Sequence, residues 1–248
     1  MAITLSANLL AGTRDPFTPD EKYLDYGAKF KCVLSLCGVN HDDTMFCGSC
    51  VAISPKVILT AAHVVKSAKH GGVSTESGAV VLVEKFVCHK DYDGSVGNGD
   101  VAICLLKEEL NLDFYPELYQ DEDEVGKICS ISGYGLTGTF ITGQVLSDGK
   151  KRAGSNRIDA IYQNLLICTP SKPGIPGMTT LEFIISSGDS GGGLFINQKL
   201  AGINSCVLAE GRIPSSIYGD ESGHTRISKY APWILVNKKI LEQKDSER

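Results

Sequence analysis

The sequence predicts an all-β protein made of two antiparallel barrels, followed by a C-terminal helix. Many short runs of β-branched and apolar residues, separated by glycine and asparagine loops, fill the 248-residue chain. Helical periodicity is almost absent before the C-terminus. The hydrophobic content of 42% is enough to bury a sizeable core.

Residues 1–28 are predicted to form an N-terminal arm that lies across the surface, because polar and turn-forming pairs such as Asp15-Pro16 recur there. Residues 1–11 lack the basic start of a secretion signal, and polar residues interrupt their apolar run.

The first barrel is assigned to residues 29–120 and the second to residues 121–228. Strands of the first barrel are predicted at 31–36, 46–53, 57–60, 79–87 and 101–106. Strands of the second are predicted at 127–132, 143–146, 158–168, 179–185, 193–196, 200–207 and 224–227. The acidic segment 108–124 is interpreted as the connection between the two halves.

Residues 229–248 are assigned to a C-terminal helix and tail. Ser228 is a suitable N-cap, and Pro232 is tolerated in a first helical turn. Apolar side chains at helical spacing predict that one face packs against the barrels; they are Trp233, Ile234, Val236 and Ile240.

The charge and hydropathy of the chain argue against nucleic acids and membranes as partners. A net charge of -5 argues against a general nucleic-acid binder, which needs a basic face. The one basic cluster, Lys150-Lys151-Arg152, is interpreted as a solvated loop. No window approaches the roughly 20 apolar residues that a membrane-spanning helix needs. We therefore expect neither nucleic acid nor a membrane as a partner.

Three short motifs carry the chemistry. Ser190 lies in the glycine-rich stretch Ser186-Ser187-Gly188-Asp189-Ser190-Gly191-Gly192-Gly193, where a substrate backbone can approach it. His63 ends the apolar run Leu59-Thr60-Ala61-Ala62-His63, and Asp100 stands at the start of another apolar strand. A serine hydroxyl needs a base to take its proton as it attacks a carbonyl, and histidine is the usual base.

These motifs resemble the TAAH, D-[IV]-A and GDSGG signatures of the trypsin and chymotrypsin-like serine proteases, over about residues 28–236. The resemblance implies two six-stranded barrels, with the active site in the cleft between them. It implies a serine endopeptidase that cleaves proteins or peptides through an acyl-enzyme intermediate, without a cofactor or metal.

The resemblance also implies the role of each site residue. His63 is the general base, Asp100 orients its ring, and Ser190 is the nucleophile. The backbone amides of Gly188 and Ser190 form the oxyanion hole. Ser205 supports Asp100, and the strand 205–207 offers its edge to the substrate backbone.

The specificity pocket is assigned by the same resemblance. Ile184 matches the floor, and the walls come from Cys206-Val207 and Gly223-His224. An apolar floor cannot compensate a buried cation, which argues against Arg or Lys specificity unless Asp220 or Glu221 reaches the pocket. Two interpretations stay open: a small or medium apolar side chain, or an acidic or amide side chain recognised by His224.

The nine cysteines lack several partners that the family's disulfides would need, since Val64, Ser186 and Ile196 occupy those positions. Largely free thiols favour an intracellular, reducing environment. An alternative is a four-thiolate zinc site built from two pairs, Cys32 with Cys37 and Cys47 with Cys50. Ordinary core cysteines are the preferred interpretation.

Two alternative functions remain. Gly188-Asp189-Ser190-Gly191-Gly192 also fits the G-x-S-x-G elbow of an α/β-hydrolase esterase, although a helix should then follow. A catalytically silent, protease-like binding module is also compatible with the fold.

The Ile-Val-Gly-Gly start that activates family zymogens has only a faint likeness, at residues 9–12. We expect Asp189 to find a neighbouring polar partner and the protein to be active as synthesised.

Overall fold

The computed structural model describes residues 12–75, 78–146 and 148–246. The predictions for residues 1–11 lie outside the described residues. The first half contains β1 (Thr13–Arg14), α1 (Asp20–Gly27), β2 (Val33–Asn40), β3 (Met45–Ser54), β4 (Val57–Thr60), α2 (Ala62–Val65), β5 (Ala68–Ser74), β6 (Val80–Cys88) and β7 (Ala102–Leu106).

The second half contains β8 (Ile128–Gly133), β9 (Thr137–Thr139), β10 (Gly143–Leu146), β11 (Arg152–Arg157), β12 (Ala160–Tyr162), β13 (Leu165–Cys168), β14 (Phe183–Ile184), β15 (Gly193–Ile196), β16 (Lys199–Leu208), β17 (Glu221–Arg226) and α3 (Ile227–Ser246). No helix among the described residues is long and apolar enough to cross a bilayer. The predicted all-β fold class with a C-terminal helix is confirmed.

The first barrel closes in the order β2-β3-β4-β7-β6-β5. Its core is fully buried and rich in branched aliphatic side chains, including Leu34, Leu36, Ile58, Leu59 and Ile103. The sequence did not predict β5, because Ala-Lys-His-Gly-Gly-Val-Ser shows no apolar alternation. Pairing with β2 and β6 holds this strand in place, so tertiary context overrides its weak propensity.

The second half arranges seven strands in the order β11-β8-β15-β16-β17-β13-β12. A separate four-stranded sheet has the order β10-β9-β1-β14. Both contribute to a second core, in which Ile131, Ile158, Phe183 and Leu194 are fully buried. The strand β16, which pairs with both β15 and β17, runs toward the first barrel and leads into the site described below.

The described part of the N-terminal arm is integrated into the second half and does not merely lie across its surface. The strand β1 pairs with β14 and β9. The helix α1 packs against β11, and its fully buried Tyr23 ring lies 6.3 Å from the Phe183 ring of β14. Arg152, predicted in a solvated loop, is 2% exposed and forms charge-assisted hydrogen bonds with both Asp20 and Asp148. These carboxylates satisfy the guanidinium, which allows its burial under α1.

The C-terminal helix begins at Ile227 and contains Pro232. Ser228 is not its cap, because its hydroxyl donates to Glu124 Oε1 at 2.9 Å. The predicted apolar face is partly wrong: Ile234 is buried, but Val236 is 58% exposed. Tyr230 Oη accepts a hydrogen bond from the Gly99 amide at 2.9 Å, which ties the helix to the loop that precedes Asp100.

Two of the nine cysteines, Cys37 and Cys47, form a disulfide between directly paired positions of β2 and β3. This corrects the expectation that they are ordinary core thiols, and it removes two ligands from the alternative zinc site. The remaining seven are free thiols. The sequence missed the bridge because the pairing depends on the register of two strands, which spacing alone does not define.

Candidate active site

His63 and Asp100 meet because their strands are neighbours. Thr60, at the end of β4, pairs with Ala102, at the start of β7. His63 follows in the short helix α2, and Asp100 lies two residues before the start of β7. The His63 ring Nδ1 lies 2.8 Å from Asp100 Oδ2, and the His63 backbone amide donates to Oδ1 at 2.9 Å. Asp100 thereby fixes the ring orientation and leaves Nε2 as the ring nitrogen that does not contact this carboxylate.

Asp100 is 5% exposed and has polar partners from the second half of the protein. Ser205 Oγ donates to Oδ2 at 2.6 Å, and Thr225 Oγ1 donates to the Asp100 carbonyl at 2.9 Å. Burial alone would raise the pKa of Asp100, but the hydrogen bonds from His63 and Ser205 outweigh it and lower the pKa. An ionised carboxylate is therefore held behind the ring.

Ser190 lies half-buried in the turn between β14 and β15. The turn depends on glycine: Gly188 has φ +91° and Gly191 has φ +86°. A Cβ on Gly191 would also overlap the Ser49 carbonyl oxygen and the Thr60 hydroxyl. The glycines thus let the turn pass close to the first barrel while presenting Ser190 to the cleft.

The same turn leaves two backbone amides available. Among the described residues, the amides of Gly188 and Ser190 have no protein acceptor. Their carbonyls are fixed by Ser49, which donates from Oγ to the Gly188 oxygen at 3.0 Å and from its amide to the Ser190 oxygen at 2.8 Å. Ser49 therefore holds the turn in place from the first barrel, and the two amides can serve an external acceptor.

Asp189 is fully buried beneath the turn and accepts three backbone hydrogen bonds. The amides of Gly12 and Ser186 donate to Oδ2, both at 2.8 Å, and the amide of Gly135 donates to Oδ1 at 2.7 Å. Desolvation raises the pKa of Asp189 to about 7, although the hydrogen bonds from Ser186 and Gly12 act in the opposite direction. The partner of Asp189 is thus a set of amides that includes Gly12 of the arm.

Two cavities share Ser190. The first, called the Cys206 cavity here, has a volume of about 290 Å³. Its lining contains no charged side chain and consists of Gln144, Ile185, Ser186, Ser187, Ser190, Ser205, Cys206, Val207, Pro214 and Ser216. Beside it, β15 pairs with β16 only as far as Ile203, whereas β17 pairs through Leu208. Residues 205–207 thus present one strand edge to the cleft.

The second, called the His63 cavity, has a volume of about 500 Å³. It is lined by Asn40, Met45, Phe46, Cys47, His63, Val64, Lys66, Ser67, Ser187, Gly188 and Ser190. His63 and Ser190 thus face the same space. Within the described residues no hydrogen bond joins the Ser190 hydroxyl to the His63 ring, a separation that apo sites often show.

The residues assigned to the specificity pocket divide into two groups. Ser205, Cys206 and Val207 line the Cys206 cavity. Ile184 is instead buried in β14, paired with Thr13, and its neighbour Ile185 takes the lining position.

Gly223 and His224 are buried in β17, outside the cavity lining. The His224 ring lies 2.9 Å from Asn204 Oδ1 and 3.0 Å from Ser222 Oγ. Its burial lowers the pKa to about 3, so His224 is uncharged at neutral pH. Asp220 is fully buried and bound to Arg212 at 2.6 Å, so its carboxylate is already engaged.

Comparison with known proteins identifies the family. The family model described as Trypsin matches residues 27–234. The chain belongs to the trypsin family. It is 24% identical over 209 residues to mast cell protease 8 of Mus musculus, covering 77% of this chain and 78% of that protein.

Solved structures of known proteins share the fold. HL collagenase aligns with a TM-score of 0.70 and 19% identity, covering 93% of this chain and 98% of that one. A scabies mite inactivated protease paralogue aligns with a TM-score of 0.63 and 17% identity, covering 84% and 94%. The fold therefore accommodates both an enzyme and an inactivated relative, and the site residues must decide between the two.

Sequence reasoning missed Ser49 and the three amides that hold Asp189. Ser49 lies inside an apolar strand, and no signal in the sequence separates it from an ordinary buried serine. The backbone donors of Gly12, Gly135 and Ser186 carry no side-chain signature. Only the faint likeness at residues 9–12 pointed toward Gly12.

Proposed function

We propose that this trypsin-family protein is a serine endopeptidase that hydrolyses peptide bonds through an acyl-enzyme intermediate. The observation that carries the proposal is the His63–Asp100 pair, with Nδ1 2.8 Å from Oδ2, facing a cavity shared with Ser190. The Asp100 carboxylate is hydrogen-bonded to the Nδ1 atom of His63, so Nε2 is the ring nitrogen that can accept the serine proton.

In the first half of the reaction, Ser190 Oγ attacks the scissile carbonyl carbon while His63 Nε2 takes the hydroxyl proton. Asp100 stabilises the imidazolium that forms. The carbonyl oxygen becomes negative and accepts hydrogen bonds from the Gly188 and Ser190 amides. The tetrahedral intermediate then collapses as His63 gives its proton to the leaving amine, which leaves the acyl group on Ser190.

In the second half, a water molecule takes the place of the leaving amine. His63 removes a proton from this water as it attacks the acyl carbon, and the same amides hold the oxygen. The proton then passes from His63 to Ser190 Oγ as the ester bond breaks. The products are a carboxylic acid and the restored hydroxyl, with no cofactor or metal in the scheme.

The side chain that precedes the scissile bond is proposed to be uncharged. The Cys206 cavity has no charged lining residue, and at about 290 Å³ it suits a small or medium side chain. An Arg or Lys side chain buried there would lack a compensating carboxylate, because Asp220 is already paired with Arg212. Cleavage profiling with a peptide library should show a neutral residue at this position. A preference for Arg or Lys would overturn this assignment.

The two alternative functions are less well supported. An α/β-hydrolase esterase would have a helix directly after the nucleophile, but the strand β15 follows Ser190. The silent binding module is permitted by the fold, but the retained His63–Asp100 pair and the two available amides favour catalysis.

The rate of peptide-amide hydrolysis tests the proposal directly. Purified protein should cleave a peptide amide as well as the matched simple ester, and both activities should disappear in Ser190→Ala. Ester hydrolysis without amide hydrolysis would support the esterase. The absence of both would support the binding module.

We also propose that the protein works in a reducing compartment, on the basis of its seven free thiols. The Cys37–Cys47 bridge is the feature that opposes this proposal. Because five of the seven free thiols are buried, cells should be lysed directly into denaturant that contains the alkylating reagent, and mass spectrometry should then find most cysteines labelled. Extensive disulfide pairing in the native source would contradict the proposal.

A further inference from the structure

The Gly188 N–H that can serve an external acceptor belongs to the peptide unit that joins Ser187 to Gly188. In a planar trans peptide the carbonyl and the N–H point in opposite directions, so whatever fixes the carbonyl also fixes the N–H. The Leu136 amide donates to the Ser187 oxygen at 2.7 Å. The Gly188 N–H is therefore directed away from Leu136, and its orientation depends on how Ser187 is held.

The other peptide unit of Ser187 is held by a side chain. The Ser187 amide donates to Gln144 Oε1 at 3.0 Å. Because an N–H donor requires an acceptor oxygen, this bond also identifies the end of the Gln144 amide that meets Ser187. With its N–H bound by Gln144 and its carbonyl bound by Leu136, Ser187 has both of its peptide units fixed by the segment 136–144.

The local structure of β10 presents Gln144 to the cleft. The pairing of β10 with β9 shifts between Gln144 and Leu146, which leaves Val145 as the extra residue of a β-bulge. Bulges bend a strand and redirect neighbouring side chains, and they are frequent beside active sites. The Val145 side chain is 65% exposed, whereas Gln144 lines the Cys206 cavity. The Gln144 amide also donates to the Ser215 carbonyl at 3.1 Å, which anchors its backbone.

We propose that Gln144 is a positioning residue for the oxyanion hole. Its side-chain oxygen holds the Ser187 amide and thereby keeps the Gly188 N–H directed at the reacting carbonyl. This inference rests on the proposed peptidase function and adds a residue that none of the three sequence motifs contains.

The size of the expected effect follows from the exposure of this hydrogen bond. Ser187 is exposed, so water can replace Gln144 as the acceptor and limits the loss. Removing a complete oxyanion donor typically costs about a hundredfold in rate. Removing a bond that acts through the orientation of that donor should cost less, about three- to tenfold in kcat.

The variant Gln144→Met tests the proposal, because it keeps the length of the side chain and removes the acceptor. With a peptide anilide as substrate, kcat should fall about three- to tenfold while KM stays close to wild type, since the oxyanion bonds strengthen only in the transition state. A residue that merely lines the cavity would change KM instead.

A pair of inhibitors gives a second measurement. A peptidyl trifluoromethyl ketone forms an adduct with Ser190 whose oxygen occupies the oxyanion hole, whereas the corresponding alcohol cannot form this adduct. Gln144→Met should weaken binding of the ketone by about the same factor as kcat and leave binding of the alcohol unchanged.

Two control variants separate this role from general damage. Gln120→Met makes the same change at an exposed glutamine outside both cavities at Ser190. Val145→Ala alters the neighbouring, exposed residue of the bulge. Both should keep wild-type kcat and KM. An unchanged kcat in Gln144→Met, a rise in KM alone, or equal weakening of ketone and alcohol would overturn the proposal.

The wild-type protein separates this inference from the proposed function. If wild type hydrolyses the anilide and Gln144→Met hydrolyses it equally well, only the role of Gln144 fails. If wild type hydrolyses neither the anilide nor peptides, the proposed function itself fails, and the role of Gln144 fails with it.

Discussion

Replacing Asp189 with asparagine should damage both stability and catalysis, although it changes only one atom of the side chain. Oδ2 accepts from the amides of Gly12 and Ser186, and Oδ1 accepts from the amide of Gly135 at 2.7 Å. The asparagine orientation that keeps the two bonds to Oδ2 places its NH₂ group against the Gly135 amide. Two buried donors then face each other without an acceptor.

Each buried donor without a partner costs about 1–3 kcal/mol. Two such donors give about 2–6 kcal/mol, and relief from burying a carboxylate offsets part of this sum. We therefore expect the free energy of unfolding to fall by about 2–4 kcal/mol. The turn would also lose an anchor directly between Gly188 and Ser190. Since loss of one oxyanion donor typically costs about a hundredfold in rate, kcat should fall by about that factor.

Urea unfolding and anilide hydrolysis at pH 8 measure the two effects. Asp25→Asn is the control, since Asp25 is exposed on α1 and its replacement removes the same charge. It should leave both quantities close to wild type. An Asp189→Asn protein with wild-type stability and kcat would refute the claim that this carboxylate organises the turn.

Three further predictions follow from the same geometry. Ser205→Ala removes a 2.6 Å hydrogen bond that lowers the pKa of Asp100, so this pKa should rise and the variant should lose less stability than wild type as the pH falls through the range where carboxylates titrate; an unchanged pH dependence in urea unfolding would contradict this. His224 has a pKa of about 3 when folded and about 6.5 when unfolded, so the unfolded state binds more protons between these values and stability is lost as pH falls through this window. The stability of His224→Gln relative to wild type should therefore improve by about 2.5 kcal/mol between pH 7 and 4.5 in urea unfolding, and a constant difference would refute the pKa. Because the Gly12 amide already contacts Asp189, activity should not require cleavage before Gly12, and the intact mass of the active species checks this; turnover only by a form cut at that point would contradict it.

The sequence predicted the parts of the fold that depend on local pattern. The strands around Ile58 and Ile103 have continuous apolar runs, and the structure places them in the first barrel core. The sequence could not predict β5 or the burial of Arg152, because both depend on partners far away in the chain. A guanidinium in a run of basic residues is predicted to be solvated. The prediction fails for Arg152 because folding places the Asp20 and Asp148 carboxylates beside its guanidinium.

For the candidate site too, the residues that local motifs identify were predicted, whereas those that depend on distant strand pairing were not. His63, Asp100 and Ser190 could be proposed from their motifs, since each motif reflects a local requirement of the chemistry. The pocket assignments depended on counting positions from Ser190, and such counting cannot resolve whether Ile184 or Ile185 faces the cavity. Pairing of Ile184 with Thr13 in β1, a strand from the N-terminal arm, directs that residue into the interior.

The central claim, that His63 activates Ser190 in the folded protein, is tested most directly with a serine-reactive fluorophosphonate probe. Folded wild-type protein should be labelled stoichiometrically, and peptide mapping should locate the label on Ser190. Labelling should be lost in Ser190→Ala, in heat-denatured wild-type protein and, to within a small residual rate, in His63→Ala. Failure of the folded wild type to react, or reaction that persists in Ser190→Ala, would contradict the claim.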